Sequence, residues 1–283
     1  MASATTQVTI RDIRDLAELK AVEGLQKEVW ACSDLEVFPS LALIPLIEVG
    51  GVLLGAFASD KLVGFVFGFP GIEDGRPILH SDMLAVKREF RSQALGYKLK
   101  LAQRERALAK GINKITWTFD PLQSRNAHLN FAKLGVIADK YKVNYYGETS
   151  SPLHRGGTDR LWVSWLLNSD RVHQRIGSPI LVSNSTLSAP TSASALVRIG
   201  PNGEPIKNER VLEESTAVME IPENINNLMT EAPNLALAWR AATRQAFASA
   251  FSSGFIVEDF RWGHHHSPTG SYCLRKTTSS KTN

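Results

Sequence analysis

The sequence predicts a mixed α/β fold, and three observations carry that expectation. Short β-branched and aromatic runs alternate with longer stretches of helical period. Glycines stand where two of those helical stretches stop, at Gly111 and Gly135. The composition, 43% hydrophobic and 21% charged over 283 residues, is that of an ordinary globular chain.

Residues 7–14 (QVTIRDIR) set Val8 and Ile10 in alternation with polar residues and read as a strand. Asp15 then stands where it can cap a helix running to about Trp30. Runs 52–58 and 62–69 form a hairpin about the polar pair Ser59-Asp60, and 78–86 (ILHSDMLAV) is a further strand. A break at 87–92 leads into a helix to about Lys110, closed by Gly111. A strand follows at 114–119 (KITWTF), then a helix to about Leu134 ended by Gly135. Strands at 136–146 and 161–167 complete a domain expected to span 1–168.

The composition then changes. Residues 183–196 (SNSTLSAPTSASAL) have no structural period, so 169–205 reads as a linker or long loop that ends at the turn Pro201-Asn202-Gly203. Residues 206–283 read as a small α+β unit: a strand at 216–221, a helix at 234–252, and strands at 255–261 and 271–275. The polar tail 277–283 is expected to fray. The halves share a weak echo. Helix–Gly135-Val136-Ile137 followed by Tyr141 resembles helix–Gly254-Phe255-Ile256 followed by Phe260, as a partial duplication would.

Several function classes drop out. With 12 Phe, 6 Trp and 5 Tyr, disorder throughout is excluded. The net charge of +4 suits an anionic small molecule as well as nucleic acid, but no basic-aromatic repeat or recognition-helix pattern supports nucleic acid as a partner. Cys32 and Cys273 cannot build a disulfide framework or a four-cysteine zinc site, and so few cysteines fit a reducing compartment. The first residues lack the basic-then-apolar pattern of a secretory signal. The apolar run 41–58 is broken by Pro45, Glu48 and Gly50-Gly51 and reads as core, not membrane. A cytoplasmic protein is expected. His264-His265-His266 are consecutive, so their side chains point different ways and no metal is expected.

The most informative stretch is the strand–loop–helix at 78–110. A strand entering a helix past the small residues Ser92, Ala94 and Gly96 leaves backbone N–H groups pointing outward at the positive end of the helix. Arg88, Arg91 and Lys98 add charge there, so the junction suits an anion; the alternative is a solvated helix start. The second informative stretch is 115–147.

Together the two stretches resemble the GNAT superfamily of acyl-CoA N-acyltransferases. Arg91-Ser92-Gln93-Ala94-Leu95-Gly96 matches that family's Arg/Gln-x-x-Gly-x-Gly/Ala pyrophosphate loop, with Ala94 at the first glycine. Ala127, Lys133, Leu134, Gly135 and Val136 match its second motif, with Ser124 at the usual asparagine and Asn126 two residues on. The element order is that family's too, over about residues 7–168. A subgroup with TFDPLxxRNA and TDRL segments, here 118–127 and 158–161, also carries a C-terminal extension.

The resemblance implies a mixed, mostly antiparallel splayed sheet flanked by helices. It implies acetyl-CoA or another acyl-CoA as co-substrate and a small amine as acceptor, an amino acid among the candidates. The cofactor would meet Arg91, Ser92, Gln93, Ala94, Leu95, Gly96 and Tyr97, with Asn126 and Phe131 nearby. A backbone N–H near Leu84 and Val86 would hold the thioester carbonyl. Where many members place a tyrosine that protonates the leaving thiolate, this chain has Phe131. Tyr141, Tyr145, Tyr146 or a water would then supply the proton, or the activity has been lost.

His80 and Asp82 alternate on one strand and are candidate bases, His80 first because its ordinary pKa suits neutral pH; a structural histidine is the alternative. Asp120, Arg125 and Arg160 would lie where the acceptor binds and favour a carboxylate-bearing substrate. An Asp120–Arg125 loop brace is the other reading. Arg240, Arg244, Phe247 and Phe251 recur at helical spacing, either as a face that covers the acceptor or as a packed helix with arginines at its rim. Two functions follow: an acyl-CoA-dependent N-acyltransferase, or a degenerate GNAT-fold protein that binds CoA or a metabolite without catalysis.

Overall fold

A computed structural model describes residues 7–147, 154, 156–177, 194–263 and 269–277. The serine-rich stretch 183–193, the histidines 264–266 and the tail 278–283 lie outside the described residues, as does the side chain of Ser92. The chain forms two compact units, Met1–Trp117 with Ser150–Arg155 and Thr118–Thr149 with Gly156–Asn283.

The first unit places β1 (Val8–Asp12), β2 (Val52–Ala58), β3 (Lys61–Glu73), β4 (Arg76–Val86) and β5 (Lys114–Phe119) side by side in that order. All pairs are antiparallel except β4–β5, which is parallel. Asp15 caps α1 (Leu16–Trp30) by accepting from the Glu18 N–H at 2.8 Å, as its position predicted. The sequence reading passed over α2 (Ser40–Glu48), whose Pro45 and apolar run hid the helical period. Leu19, Val22 and Leu25 of α1 and Leu43 of α2 pack with Phe65, Phe67 and Met83 on one face of the sheet. Burying each such side chain contributes roughly 1.5–3 kcal/mol. On the opposite face α3 (Leu95–Ala109) lies close to β3 where β3 has glycines. A Cβ on Gly68 would stand 3.0 Å from the Gln103 side chain and 2.9 Å from the His80 carbonyl oxygen. Bare backbone there lets the helix close on the sheet.

The second unit contains α4 (Ser124–Ala127), which runs into a π-helical stretch His128–Leu134, then β6 (Ile137–Lys142), β7 (Arg160–Leu166) and α5 (Asp170–Gly177). Next come β8 (Ala195–Ile199), β9 (Pro205–Lys207), β10 (Thr216–Pro222), α6 (Ile225–Glu231), α7 (Pro233–Ser252), β11 (Phe255–Trp262) and β12 (Thr269–Lys276). Its strands lie in the order β7-β6-β11-β12-β10-β8-β9, antiparallel except for β8 beside β10. The units therefore part after Trp117, whereas the sequence suggested a boundary near 168. The span expected as linker contains structure. Val172 of α5 is fully buried and Arg175 donates to the Ala132 carbonyl at 3.2 Å, while Val197 of β8 is fully buried beside β10. Each of these contacts is with residues distant in sequence, which is why composition alone did not mark them.

The echo between the halves has a structural counterpart. Gly135 and Gly254 end their helices with φ of +75° and +81°. In β6–β7, Ala138 faces Val163 and Lys140 faces Trp162, so Asp139 is skipped. In β11–β12, Val257 faces Leu274 and Asp259 faces Cys273, so Glu258 is skipped. Both bulges fall at the same distance from their glycine. β6 and β11 then pair antiparallel with Ala138 opposite Val257, two equivalent positions. The two helix–Gly–strand–strand sets thus meet about a local two-fold.

Candidate active site

Within the first unit, β4 and β5 pair only at Leu79–Ile115 and His80–Thr116. Beyond that point β4 continues to Val86 without β5, and the sheet opens. The opening begins beside a β-bulge: Phe67 faces Met83 and Gly68 faces Ser81, leaving Asp82 as the extra residue. The bulge interrupts the simple alternation from which a shared face for His80 and Asp82 was expected. His80 aligns with Phe69, on the face that carries Phe67 and Met83, while Ser81, Leu84 and Val86 align with the α3 face.

His80 Nδ1 lies 3.0 Å from Thr116 Oγ1, and its ring packs against Phe69 at 5.5 Å. Burial pushes its pKa below the ordinary 6.5, and the nearby Lys100 pushes the same way against the opposing pull of Glu73. If Nδ1–H donates to Thr116, Nε2 carries the lone pair that a base needs. Asp82 is exposed as a residue, yet desolvation raises its carboxyl above the usual range. On the other face Lys100 is buried. Its ammonium donates to Ser81 Oγ at 2.7 Å and to Gln103 Oε1 at 3.3 Å, and it sits 3.8 Å above the Trp117 ring. Burial pushes its pKa down to about 7. Neither Thr116 nor Lys100 was singled out from sequence: both gain their meaning from strand pairing and helix docking.

The predicted phosphate loop is a 310 turn, Arg88–Gln93, followed by Ala94 and the start of α3. Ala94 has φ +55°, the left-handed region, which is the physical reason a glycine suits this position. No side chain caps α3, so the N–H groups of Leu95, Gly96 and Tyr97 are available to an anion. Gly96 keeps the approach open: a Cβ there would meet only Leu84, at 3.7 Å. Tyr97 has its hydroxyl pushed up by partial desolvation. Arg91 turns back instead, its Nε donating to the Val86 carbonyl at 3.1 Å. Leu84 and Val86 are half-buried on the open edge. These features suit an anion at the start of α3.

The other predicted residues lie in the second unit, where several have structural duties. Phe131 is fully buried, 6.3 Å from Phe119 and edge-on to Tyr272 at 5.7 Å, so it is a core residue and offers no surface to a cofactor. Ser124, at the family's asparagine, donates to the Pro222 carbonyl at 2.7 Å. Asn126 and Arg125 are exposed, and Arg125 makes no brace with Asp120. The Tyr141 hydroxyl donates to Asp159 Oδ2 at 2.8 Å. Burial and that carboxylate push its pKa far above 10, which corrects its expected role as the acid.

Asp120 is instead held by Arg240 and Asp159 by Arg244, each through two side-chain bonds of 2.6–2.9 Å. Arg244 also reaches Asn144 Oδ1 at 3.1 Å, and Arg240 donates to the Gly156 carbonyl at 2.8 Å. The expectation that these two arginines face an acceptor is therefore corrected: their forks are filled by carboxylates of the protein. Burial opposes ionisation of Asp159, but Arg244, the Asn144 N–H and Tyr141 outweigh it and hold its pKa low. Asp159 was missed as a residue, although it lies inside the TDRL segment. Arg160 is buried, and its Nη1 donates to the Asp159 carbonyl at 2.9 Å. Among the described residues no three His, Cys, Asp or Glu are grouped to hold a metal, and no helix is long and apolar enough to cross a membrane.

Residues 19–136 match the Acetyltransferase (GNAT) family. No curated protein sequence matches the chain. Solved structures similar to it include the ribosomal-protein-S18-alanine N-acetyltransferase from Escherichia coli, 13% identical with a TM-score of 0.46, over 58% of this chain and 96% of that one. Aminoglycoside 6'-acetyltransferase type Ii is 16% identical with a TM-score of 0.46, over 57% of this chain and 98% of that one. The aminoglycoside 6'-N-acetyltransferase from Enterococcus faecium is 14% identical with a TM-score of 0.43, over 57% and 98%.

Proposed function

We infer, on the premise that residues 19–136 form a GNAT-family, acyl-CoA-dependent acyltransferase, that the chain moves an acetyl or other small acyl group to the amine of a small metabolite. The observation that carries this reading is the β4–β5 opening. Strand pairing stops at His80 and Thr116, with a titratable imidazole at the point of opening and the uncapped start of α3 following β4. Bound acyl-CoA supplies the thioester that is attacked.

In this reading the N–H groups of Leu95, Gly96 and Tyr97 hold the pyrophosphate, and a backbone N–H near Leu84 or Val86 steadies the developing oxyanion. His80 Nε2 takes a proton from the attacking amine while Thr116 accepts from Nδ1 and fixes the tautomer. The lowered pKa of His80 keeps it neutral, and so able to accept, at neutral pH. The leaving thiolate is protonated by His80 or by water, because the Tyr141 hydroxyl is bound to Asp159. Residues 1–168 are proposed to supply these groups, with 206–283 completing the core around Phe131 through Tyr272. A small-molecule partner and a cytoplasmic setting belong to the same reading, the latter supported by two free cysteines.

Acetyl-CoA at about 100 times its Kd is expected to stabilise the protein by about 2.7 kcal/mol, read as a rise in Tm. Gly96→Glu is expected to abolish that rise by placing bulk and negative charge at the anion site. Mass spectrometry of an amine panel then reads acyl transfer. Stabilisation without transfer to any amine would favour the binding-protein reading, which the burial of Phe131 and the Tyr141–Asp159 bond motivate.

A further inference from the structure

Within the first unit, β4 and β5 part at a definite place, and one side chain spans it. The last paired positions are Leu79–Ile115 and His80–Thr116, so Ser81 and Trp117 are the first residues beyond the pairing. Lys100 of α3 holds both. Its Nζ donates to Ser81 Oγ at 2.7 Å and lies 3.8 Å from the centroid of the Trp117 ring. A third contact, to Gln103 Oε1 at 3.3 Å, ties the amine back to its own helix. Lys100, Ser81, Gln103 and Trp117 are all buried, which shields these contacts from competing water.

The arrangement costs the fold stability. Burial alone pushes the Lys100 pKa down to about 7, as it does for an ammonium kept from water. An apolar side chain of similar length would fill the same space without that cost. What Lys100 touches gives it a use. On the opposite face of the sheet, His80 Nδ1 lies 3.0 Å from Thr116 Oγ1. Those two residues come one position before Ser81 and Trp117 on their strands. A clamp on Ser81 and Trp117 therefore fixes the backbone that carries His80 and Thr116. A neutral Lys100 amine still donates to Ser81 and Gln103, so the clamp persists when the lysine gives up its proton.

We propose that Lys100 is a positioning residue of the acyl-transfer site: it spans the parting of β4 and β5 and so fixes His80 against Thr116. Its part in transfer rests on the acyltransferase reading, but its hold on the imidazole does not. Lys100→Met keeps the length of the side chain and removes the bonds to Ser81 and Gln103. Because this variant is expected to be the more stable protein at pH 7, a loss of activity in it is not a loss of fold.

Two measurements test the proposal. The first is the 15N NMR spectrum of the His80 ring at about pH 7.5, where the imidazole is neutral, assigned by its disappearance in His80→Gln. The wild type is expected to show one tautomer, with the proton on Nδ1, and Lys100→Met a mixture of both. The second is acetyl transfer, in which kcat of Lys100→Met is expected to fall about 10- to 100-fold, the scale of a small misplacement. Its acetyl-CoA thermal shift and KM are expected to stay unchanged, because the N–H groups at the start of α3 are untouched. If Lys100→Met does not fold, Ser81→Ala, which removes only the bond to β4, is read in the same way.

A single unchanged tautomer in the variant overturns the proposal, and so does a wild type that already mixes the two. A variant kcat at the wild-type value overturns it as well. Loss of the acetyl-CoA shift in a folded variant does the same, since Lys100 would then shape the cofactor site instead. If the wild type transfers no acyl group to any amine, the acyltransferase reading fails and the tautomer alone decides whether Lys100 holds His80.

Discussion

Arg240 grips Asp120 at two points across 120 residues of sequence, Nη1 to Oδ1 at 2.6 Å and Nη2 to Oδ2 at 2.9 Å. One helical turn on, Arg244 repeats the grip on Asp159. With the Phe247 ring stacked on Tyr141 at 5.4 Å, α7 is bound to the segments after β5 and before β7 by two ionic forks and an aromatic contact. Helical spacing showed which side chains share a face, but not that the face would be satisfied internally.

Breaking the first fork leaves a partly buried carboxylate unpaired. Arg240→Ala is expected to cost about 3–5 kcal/mol in urea denaturation, with the double variant Arg240→Ala/Asp120→Ala recovering part of it. An Arg240→Ala protein of unchanged urea midpoint would show the fork to be dispensable.

Ala94 holds φ +55° with a Cβ that disfavours it. Ala94→Gly should raise stability by up to about 1 kcal/mol, since the left-handed penalty exceeds the extra entropy that glycine loses. Thermal denaturation at neutral pH reads the change. A fall in Tm would mean that the surrounding loop already relieves the strain.

Lys100 titrates near 7 in the folded protein against an ordinary value of 10.5. Between those values the unfolded chain holds a proton that the folded chain does not. Stability therefore falls as pH drops from about 10.5 to about 7 and levels off below, by up to about 5 kcal/mol at 1.36 kcal/mol per pH unit. Lys100→Met should flatten that slope and raise stability at pH 7, less about 1 kcal/mol for the Ser81 hydroxyl it leaves unpaired. Denaturation curves from pH 6 to 10 check it; parallel curves for variant and wild type would contradict it.

Restoring the family's tyrosine also has a structural cost. Phe131 is wholly enclosed with Phe119 and Tyr272 for neighbours, so the hydroxyl of Phe131→Tyr would be buried in an apolar setting. A loss of about 1–3 kcal/mol is expected, with no gain in rate. A variant that is both faster and as stable as the wild type would restore the usual acid to this position.

What was legible in the sequence is what local physics fixes. The Asp15 cap, the Ser59-Asp60 hairpin, the loop into α3 and the glycines at 111, 135 and 254 follow from residue type and spacing. Alternation placed His80 on β4, but the bulge at Asp82 depends on the pairing with β3. The Thr116 bond, the Lys100 cluster and the Arg–Asp forks join residues 19 to 120 positions apart, and no single-sequence period encodes such pairings. Truncation after Asn168 illustrates the difference. The sequence suggested an independent domain, but Ser124 bonds to Pro222 and Phe131 packs on Tyr272, so the core around α4 is closed by residues the truncation removes.

The most direct test of the account is the pH dependence of kcat for acetyl transfer in the wild type and in His80→Gln. With the His80 pKa lowered by burial and by Lys100, the wild-type rate should rise with pH on the acid side of 6.5 and be flat through neutral pH. His80→Gln should lose the acid-side rise and at least about 100-fold in kcat, with acetyl-CoA affinity unchanged, as expected for loss of a general base. Turnover by His80→Gln at the wild-type rate with the same pH profile would contradict the assignment of His80 as the base.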